Sequence, residues 1–277
     1  MTRWSGALLV GYQDSPSDSP LISAVDRSEK YDRISLQIPG ASTISVASVG
    51  GGFDGSLVAG GNVIDGNRHR AGFIAWYSSD REQQNLIRTE PFAVEAVAID
   101  ARGVIWAAGD TEDGETGKSA GSILRRYDVF GRMLSSFQLR NADGTLSGWC
   151  DMSSRLMASK DRVGWLTSRT EYVEFSLDGA IRDRFEGPST TFPWKGIQYL
   201  LGWALSQNND VIVQKLFMGE SRTEVVALDR GKRAWVAVTL PVRTPGEGQR
   251  VLGFDGATLV LQRRDCLERL KPVEPHR

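Results

Sequence analysis

The chain is built from a unit of about 50 residues that recurs through its length. The unit is clearest between Val94 and Leu139, where four short apolar runs are separated by turn-forming residues: VEAVAIDARGVIWAAGDTEDGETGKSAGSILRRYDVFGRMLSSFQL. Short runs rich in Val, Ile, Tyr and Phe, punctuated by Asp and Gly, predict β-strands joined by hairpins. We label the four strands of each unit A, B, C and D in chain order.

The spacing of the units predicts the architecture. The D strands begin near residues 34, 85, 133, 181 and 234, in steps of 51, 48, 48 and 53 residues. A repeat of this length with four strands per unit is typical of a β-propeller, in which each sheet is one blade. We therefore predict an all-β, six-bladed propeller of four-stranded antiparallel blades, forming a single domain over residues 1–277. Rings of five or seven blades are the alternatives.

The two terminal units are shorter than the others. Ala7–Tyr12 aligns with B strands and no A strand is predicted before it, whereas the last unit ends after a C strand at Leu267–Leu270. We therefore expect terminal blades that are incomplete, or that close the ring by pairing N- and C-terminal strands in one blade. A strand removed together with a leader is another explanation. It would make the protein periplasmic or extracellular; otherwise it would be cytoplasmic.

Composition excludes several classes of function. The 33 Lys and Arg residues balance 34 Asp and Glu, so no basic footprint for nucleic acid exists. No apolar run approaches the roughly 20 residues of a membrane helix, so membrane insertion is not expected. His69 and His276 are the only histidines, which excludes sites that need several His ligands. Cys150 and Cys266 are expected to be buried free thiols, with a disulfide left open.

The repeat resembles a known group of propellers. VEAVAIDARGVIWAAG followed by ILRRYDVFGRMLSSFQL is similar to the repeat of NHL, gluconolactonase/regucalcin-like and related bacterial six-bladed propellers. The shared form is an apolar run, Asp-x-x-Gly and a second apolar run, and it extends over nearly the whole chain. The resemblance implies a fold rather than an activity, because such folds carry enzymes and binding proteins alike. The lactonases of this group hold a divalent ion on Glu, Asn and Asp side chains in the central channel, and no clear match to that motif is present.

The longer connections point to one face as the functional one. In propellers the B–C and D–A loops share a face, and here these loops are long while the A–B and C–D turns are tight. Aromatic side chains around a channel mouth would suit a sugar or peptide ring. The candidate ligand-binding residues are Glu95, Asp110, Trp149, Asp151, Trp194 and Arg250.

Two polar loops have competing interpretations. The acidic stretch from Asp110 to Glu115 could hold calcium through oxygen ligands, but its spacing fits no standard calcium loop and a solvated acidic loop is favoured. The segment Asn67–Arg70 could bind an anion, but a solvated loop tip is favoured. We therefore expect no cofactor, with calcium as the alternative, and no metal ligand is assigned.

These patterns favour one function and leave two others open. The favoured one is a monomeric propeller that binds a protein, small molecule or glycan on the loop face. The alternatives are a divalent-metal-dependent lactonase or hydrolase of the gluconolactonase-like kind, and a structural module of a larger secreted protein. No catalytic constellation is identifiable, so an enzymatic activity is left open.

Overall fold

The protein is an all-β chain. The computed structural model describes residues 2–5, 8–13, 19–66, 70–81, 84–111, 123–140, 155–167, 171–188, 198–217, 222–240, 249–263 and 266–270. These residues form six antiparallel sheets, and the arrangement is the predicted six-bladed propeller.

The first three sheets, blades 1 to 3, follow the predicted A–B–C–D order. Blade 1 contains β1 (Thr2–Ser5), β2 (Leu8–Gln13), β3 (Leu21–Val25) and β4 (Tyr31–Ser35). Blade 2 contains β5 (Ala41–Gly51), β6 (Leu57–Asp65), β7 (Arg70–Tyr77) and β8 (Gln84–Arg88). Blade 3 contains β9 (Phe92–Ile99), β10 (Ile105–Thr111), β11 (Ile123–Tyr127) and β12 (Met133–Gln138).

Blades 4 to 6 repeat the same order. Blade 4 contains β13 (Arg155–Ala158), β14 (Arg162–Thr167), β15 (Glu171–Ser176) and β16 (Ile181–Glu186). Blade 5 contains β17 (Gln198–Leu205), β18 (Val211–Phe217), β19 (Arg222–Asp229) and β20 (Ala234–Ala237). Blade 6 contains β21 (Gln249–Asp255), β22 (Thr258–Arg263) and β23 (Cys266–Leu270).

The innermost strands close a ring. Each A strand contacts the A strand of the next blade, in the order β1, β5, β9, β13, β17 and β21, and β21 contacts β1. Closure is therefore side by side between blades 6 and 1.

The expectation that blade 1 lacks an A strand is wrong, and of the two alternatives for the terminal blades, pairing of N- and C-terminal strands in one blade is not found among the described residues. Blade 1 has an A strand, because Thr2–Ser5 pairs antiparallel with Leu8–Gly11. Within the described residues the terminal strands join separate blades rather than sharing one, since β1 pairs with β2 and β23 with β22. Blade 6 has three described strands, and residues 271–277 lie outside the described part.

Apolar clusters fill the spaces between neighbouring blades. Ile22 and Phe73 belong to the cluster that joins blades 1 and 2, and Ile74 and Phe92 belong to the one that joins blades 2 and 3. Equivalent clusters join the remaining pairs, down to Leu252, Val260 and Leu9 between blades 6 and 1. Because a B strand is covered on both faces, it is a continuous buried run, as in residues 105–109 of β10. Cys266, on the outermost described strand of blade 6, is instead an exposed free thiol, so its predicted burial is wrong.

The tight hairpins have the predicted chemistry. Asp100 Oδ1 accepts hydrogen bonds from the backbone N–H groups of Arg102 (2.8 Å) and Val104 (3.0 Å), and Gly103 takes a φ of +78°. Asp128 caps the C–D turn of blade 3 in the same way. Asp and Gly recur at these positions because a tight hairpin turn needs a side chain that caps its backbone N–H groups and a residue with a positive φ.

β-Bulges interrupt the innermost strand pair in four blades. The register shifts leave one extra residue each in β9, β17 and β21, namely Glu95, Leu201 and Leu252, and two in β5, namely Ser42 and Ala47. A bulge leaves backbone groups unpaired, and side chains of the preceding blade bind them. Gln214, for example, donates to Gln249 O (2.6 Å) and accepts from Val251 N (2.8 Å).

Gly109, opposite the bulge in β9, is expected to tolerate no side chain. A Cβ atom there would lie 1.9 Å from the carbonyl oxygen of Ala93. Gly109→Ala should therefore lower the free energy of unfolding by about 1–3 kcal/mol, since backbone must move. The matched control is Gly66→Ala, where a Cβ would meet nothing within 4 Å. Urea unfolding measures both, and equal midpoints for the two variants would contradict the assignment.

Candidate functional site

The face formed by the A–B and C–D turns is occupied by contacts that join the blades. At each junction a polar group of one blade binds the next: Arg81 with Asp32 (3.3 Å), Asn85 with Val129 O (2.9 Å), Arg126 with Leu177 O (2.6 Å), Arg230 with Glu174, Gln207 N with Gly256 O (3.4 Å), and Arg27 with Asp255. The six junctions of the ring all carry such a contact. These turns therefore use their polar groups to hold the propeller together.

Among the residues that make these contacts between blades, Glu174 in β15 has the most buried charged side chain. Its side chain is 1% exposed, and its carboxylate accepts from Arg162 (2.8 Å), from Arg230 (2.9 and 2.5 Å) and from the Tyr172 hydroxyl (2.9 Å). Burial alone would raise the pKa of Glu174, but hydrogen bonds from Arg230 and Tyr172 and the nearby positive charges lower it below its usual value.

This cluster has the character of a structural site. Both carboxylate oxygens already accept two hydrogen bonds each, so none is directed at an open space. Gly164 on the neighbouring strand provides the space, because a Cβ there would lie 2.5 Å from the Tyr172 hydroxyl. Arg230 comes from the C–D turn of blade 5, so the cluster joins blades 4 and 5.

The opposite face, formed by the B–C and D–A connections, contains a cleft between blades 1 and 2. Its volume is about 400 Å³, within the size range of ligand pockets. Its apolar lining comes from the connection between the blades and from β6, β7 and β8: Ile38, Pro39, Ala41, Val63, Ala71, Phe73 and Leu86. Phe73 is 1% exposed and belongs to the cluster that joins the two blades, so the floor of the cleft is part of the core.

Charged side chains line the same cleft. Arg88 is the last residue of β8 and Glu90 lies two residues beyond it, whereas Asp65 ends β6 and Arg70 begins β7. Arg88 is exposed and donates a long hydrogen bond to Pro39 O at 3.4 Å, across the gap between the blades. Gly40, with a φ of +80°, completes the lining and has no atom near its missing side chain. The cleft therefore combines an apolar floor with charges of both signs.

Two predicted site residues lie on the two innermost strands of blade 3. Glu95 is the extra residue of the bulge in β9 and is half-buried. Asp110 lies near the end of β10, paired with Ala93, and its Oδ1 atom is buried without a hydrogen-bond partner in the described part of the chain. Both therefore lie towards the loop face, on adjacent strands.

Arg250 lies elsewhere in the ring. It is the second residue of β21 and is half-buried; burial lowers its pKa, against an opposing contribution from Tyr12 of blade 1. Blade 6 is three blades away from blade 3, so Arg250 is on the opposite side of the ring from Glu95 and Asp110. Glu95 and Asp110 therefore share blade 3, whereas Arg250 belongs to blade 6.

The remaining predicted positions cannot be compared with the structure. Trp149, Asp151 and Trp194 lie outside the described residues, as does most of the acidic stretch that follows Asp110. Within the described ranges no group of three His, Cys, Asp or Glu side chains could hold a metal ion. No helix of membrane-spanning length and apolarity occurs in these ranges.

Sequence reasoning missed most of the cleft. Arg70 is the last residue of the possible anion-binding segment Asn67–Arg70, and the other residues of that segment, 67–69, lie outside the described part. Arg88 and Glu90 belong to no recognisable sequence motif. Ile38 lies in a connection that the sequence assigns to a different unit. The available signal was only that Arg88 ends the D strand of unit 2 and that the oppositely charged Glu90 lies two residues beyond it.

Solved structures of low sequence identity are similar to this chain over nearly its whole length. The yeast Saccharomyces cerevisiae Sqt1 structure has a TM-score of 0.50 at 10% identity, over 98% of this chain and 70% of that one. BamB from Moraxella catarrhalis has a TM-score of 0.48 at 10% identity, over 98% and 84% of the two chains. BBS1N, crystallised with ARL6DN, has a TM-score of 0.48 at 13% identity, over 98% and 77%. At such low identity these similarities concern the fold alone.

The sequence searches give no family. No family model matches the chain, and no curated protein matches it either. The six-bladed fold is therefore shown, whereas membership of the NHL or gluconolactonase-like families is not.

Proposed function

We propose that this protein is a binding propeller that holds a small ligand or a partner protein on the face of the B–C and D–A connections. The observation that carries the proposal is the cleft of about 400 Å³ between blades 1 and 2, which opens on that face. Its combination of an apolar floor with a few polar groups is what ligand sites commonly have.

The contrast between the two faces supports the same choice. On the A–B and C–D side, Arg81, Arg126 and Arg230 donate to groups of neighbouring turns or blades. Those cations are therefore committed to the ring. On the other side, the exposed Arg88 makes a single long hydrogen bond within the described residues, to Pro39 O, and its other N–H groups are donors that a ligand could use.

Array binding with face-specific variants tests the proposal. Peptide and glycan arrays are probed with the wild type, with Thr43→Trp on the exposed upper part of β5, and with Ala71→Trp in the cleft. The control is Arg102→Trp, at an exposed position in an A–B turn on the opposite face. We expect hits whose signal falls at least tenfold in one loop-face variant and persists in the control.

Two outcomes would reject this proposal. One is a set of hits lost only in Arg102→Trp, which would place binding on the turn face. The other is an array without hits together with turnover of a lactone by the same preparation.

A metal-dependent hydrolase is the second candidate, and Asp110 is the observation that favours it. Its buried Oδ1 has no partner in the described part of the chain, and Glu95 lies on the adjacent strand. Carboxylate oxygens of this kind could hold a divalent ion that polarises a carbonyl group. Lactone hydrolysis measured with added calcium or manganese, and its loss in Asp110→Asn, would support this candidate; metal-independent stability and no turnover would reject it.

A further inference from the structure

Positively and negatively charged side chains line the cleft between blades 1 and 2 in equal number. Arg88 and Glu90 both line the cleft, and both are exposed. Asp65 and Arg70, from the adjacent strands, add one charge of each sign and have further interactions within the chain. The four formal charges cancel.

Because the charged side chains around the cleft sum to zero, the cleft disfavours ligands that carry charges of one sign only. A polyanion would meet Asp65 and Glu90, and a polycation would meet Arg70 and Arg88, and like charges brought together cost affinity. A ligand with one anionic and one cationic group can instead pair with both kinds of side chain. The charge pattern therefore indicates a zwitterion.

The floor of the cleft adds a requirement for an apolar group. Phe73 is the cross-strand partner of Arg88, so their side chains project from the same face of the sheet. Leu86 and Val63 extend this apolar surface and are themselves only partly buried. A side chain placed between the two charged groups of a ligand would cover them and remove apolar surface from water.

We infer that the cleft binds a small zwitterion with an apolar side chain, of the amino acid or short-peptide class. The ligand's carboxylate pairs with the Arg88 guanidinium, its ammonium group pairs with the Glu90 carboxylate, and its side chain lies on the partly buried Leu86 and Val63. This inference rests on the proposed function and adds to it the chemical class of the ligand.

Calorimetric titration with one tripeptide in four forms tests the inference. The probes are Ala-Leu-Ala with free termini, N-acetylated, C-amidated, and with both ends blocked. We expect the free form to bind most tightly and each single block to weaken binding about tenfold, as the loss of one charge-assisted hydrogen bond would.

Variants assign each end of the ligand. Arg88→Gln should weaken binding of the free peptide about tenfold and leave the C-amidated form unchanged, whereas Glu90→Gln should do the same for the N-acetylated form. Arg132→Gln, which changes an exposed arginine on the opposite face, is the matched control and should bind as the wild type does. Ala71→Trp should remove binding of all forms, with folding checked by circular dichroism.

The failures of the two proposals can be told apart. Binding of the fully blocked peptide as tight as that of the free one, or no heat from any form at millimolar concentration, overturns the zwitterion inference. If array hits are then still lost in Thr43→Trp, the loop face binds something else and the proposed function stands. If neither loop-face variant affects any hit, both proposals fail.

Discussion

Replacing Glu174 with alanine is expected to lower the free energy of unfolding by about 3–5 kcal/mol. The substitution leaves Arg162, whose side chain is 16% exposed, and Arg230, which is 34% exposed, without their shared carboxylate. It also leaves the buried Tyr172 hydroxyl without its acceptor. Removing one partner of a buried charge cluster is costly because the remaining charges stay away from water.

Glu186→Ala is the matched control for this prediction. Glu186 is an exposed glutamate at the end of β16 in the same blade, and its replacement should change stability by no more than about 0.5 kcal/mol. Urea unfolding at pH 7 measures both variants. A loss below 1 kcal/mol for Glu174→Ala would show that blades 4 and 5 are held mainly by their apolar cluster.

Acidification should act through the same carboxylate. Because the pKa of Glu174 is lowered in the folded protein, its stabilising contribution is present above the unfolded value of about 4.3 and is lost as pH falls through the lower folded value. Below pH 4.3 the wild type should therefore lose stability more steeply with pH than Glu174→Gln does. Parallel stability curves for the two proteins in this range would contradict the assigned pKa direction.

Replacing Trp106 with alanine is expected to cost about 3–5 kcal/mol, the range of large aromatic residues in cores. The indole is 0% exposed, lies 5.8 Å from the ring of Phe175 in blade 4, and has the Arg126 guanidinium 4.9 Å above it. Its Nε1 donates to Asp100 Oδ2 at 2.8 Å, which ties the A–B turn to the junction of blades 3 and 4.

Two further variants separate the contributions of Trp106. Trp106→Phe keeps an aromatic ring but leaves the Asp100 oxygen without its donor, so its cost should be smaller, about 1–3 kcal/mol. Phe130→Ala removes an aromatic ring that is 83% exposed in the same blade and should change stability little. Equal effects of Trp106→Ala and Phe130→Ala in urea unfolding would refute the role of Trp106 between the blades.

Local patterns in the sequence predicted most of the strands. The apolar run Ile123–Tyr127 in the stretch Val94–Leu139 predicts the C strand of unit 3, and β11 begins and ends at these residues. The Asp-x-x-Gly turns were predicted from their chemistry, and Gly103 and Gly131 take the positive φ that such turns need, as does Gly179 in the related Leu-Asp-Gly turn of unit 4. These features were accessible because short-range hydrogen bonds and the preference of glycine for positive φ act over a few residues.

The first strand shows where local patterns end. Thr2–Ser5 has four residues, TRWS, without an apolar run or a preceding turn, so nothing in its sequence predicted a strand. It forms because its backbone groups pair with β2 and because it lies beside β21 at the closure of the ring. Both partners are set by the tertiary structure.

The sequence by itself determined the unit: four strands of a repeat near 50 residues, the chemistry of its turns, and from these the number of blades. Only the tertiary structure decided how the ring closes and which side chains meet between blades. Arg126 meets Asp178 at a separation of 52 residues, Arg230 meets Glu174 at 56, and Arg27 meets Asp255 at 228. The physical reason is that such contacts depend on the relative placement of whole sheets, which apolar packing between blades fixes and which no local pattern of residues encodes.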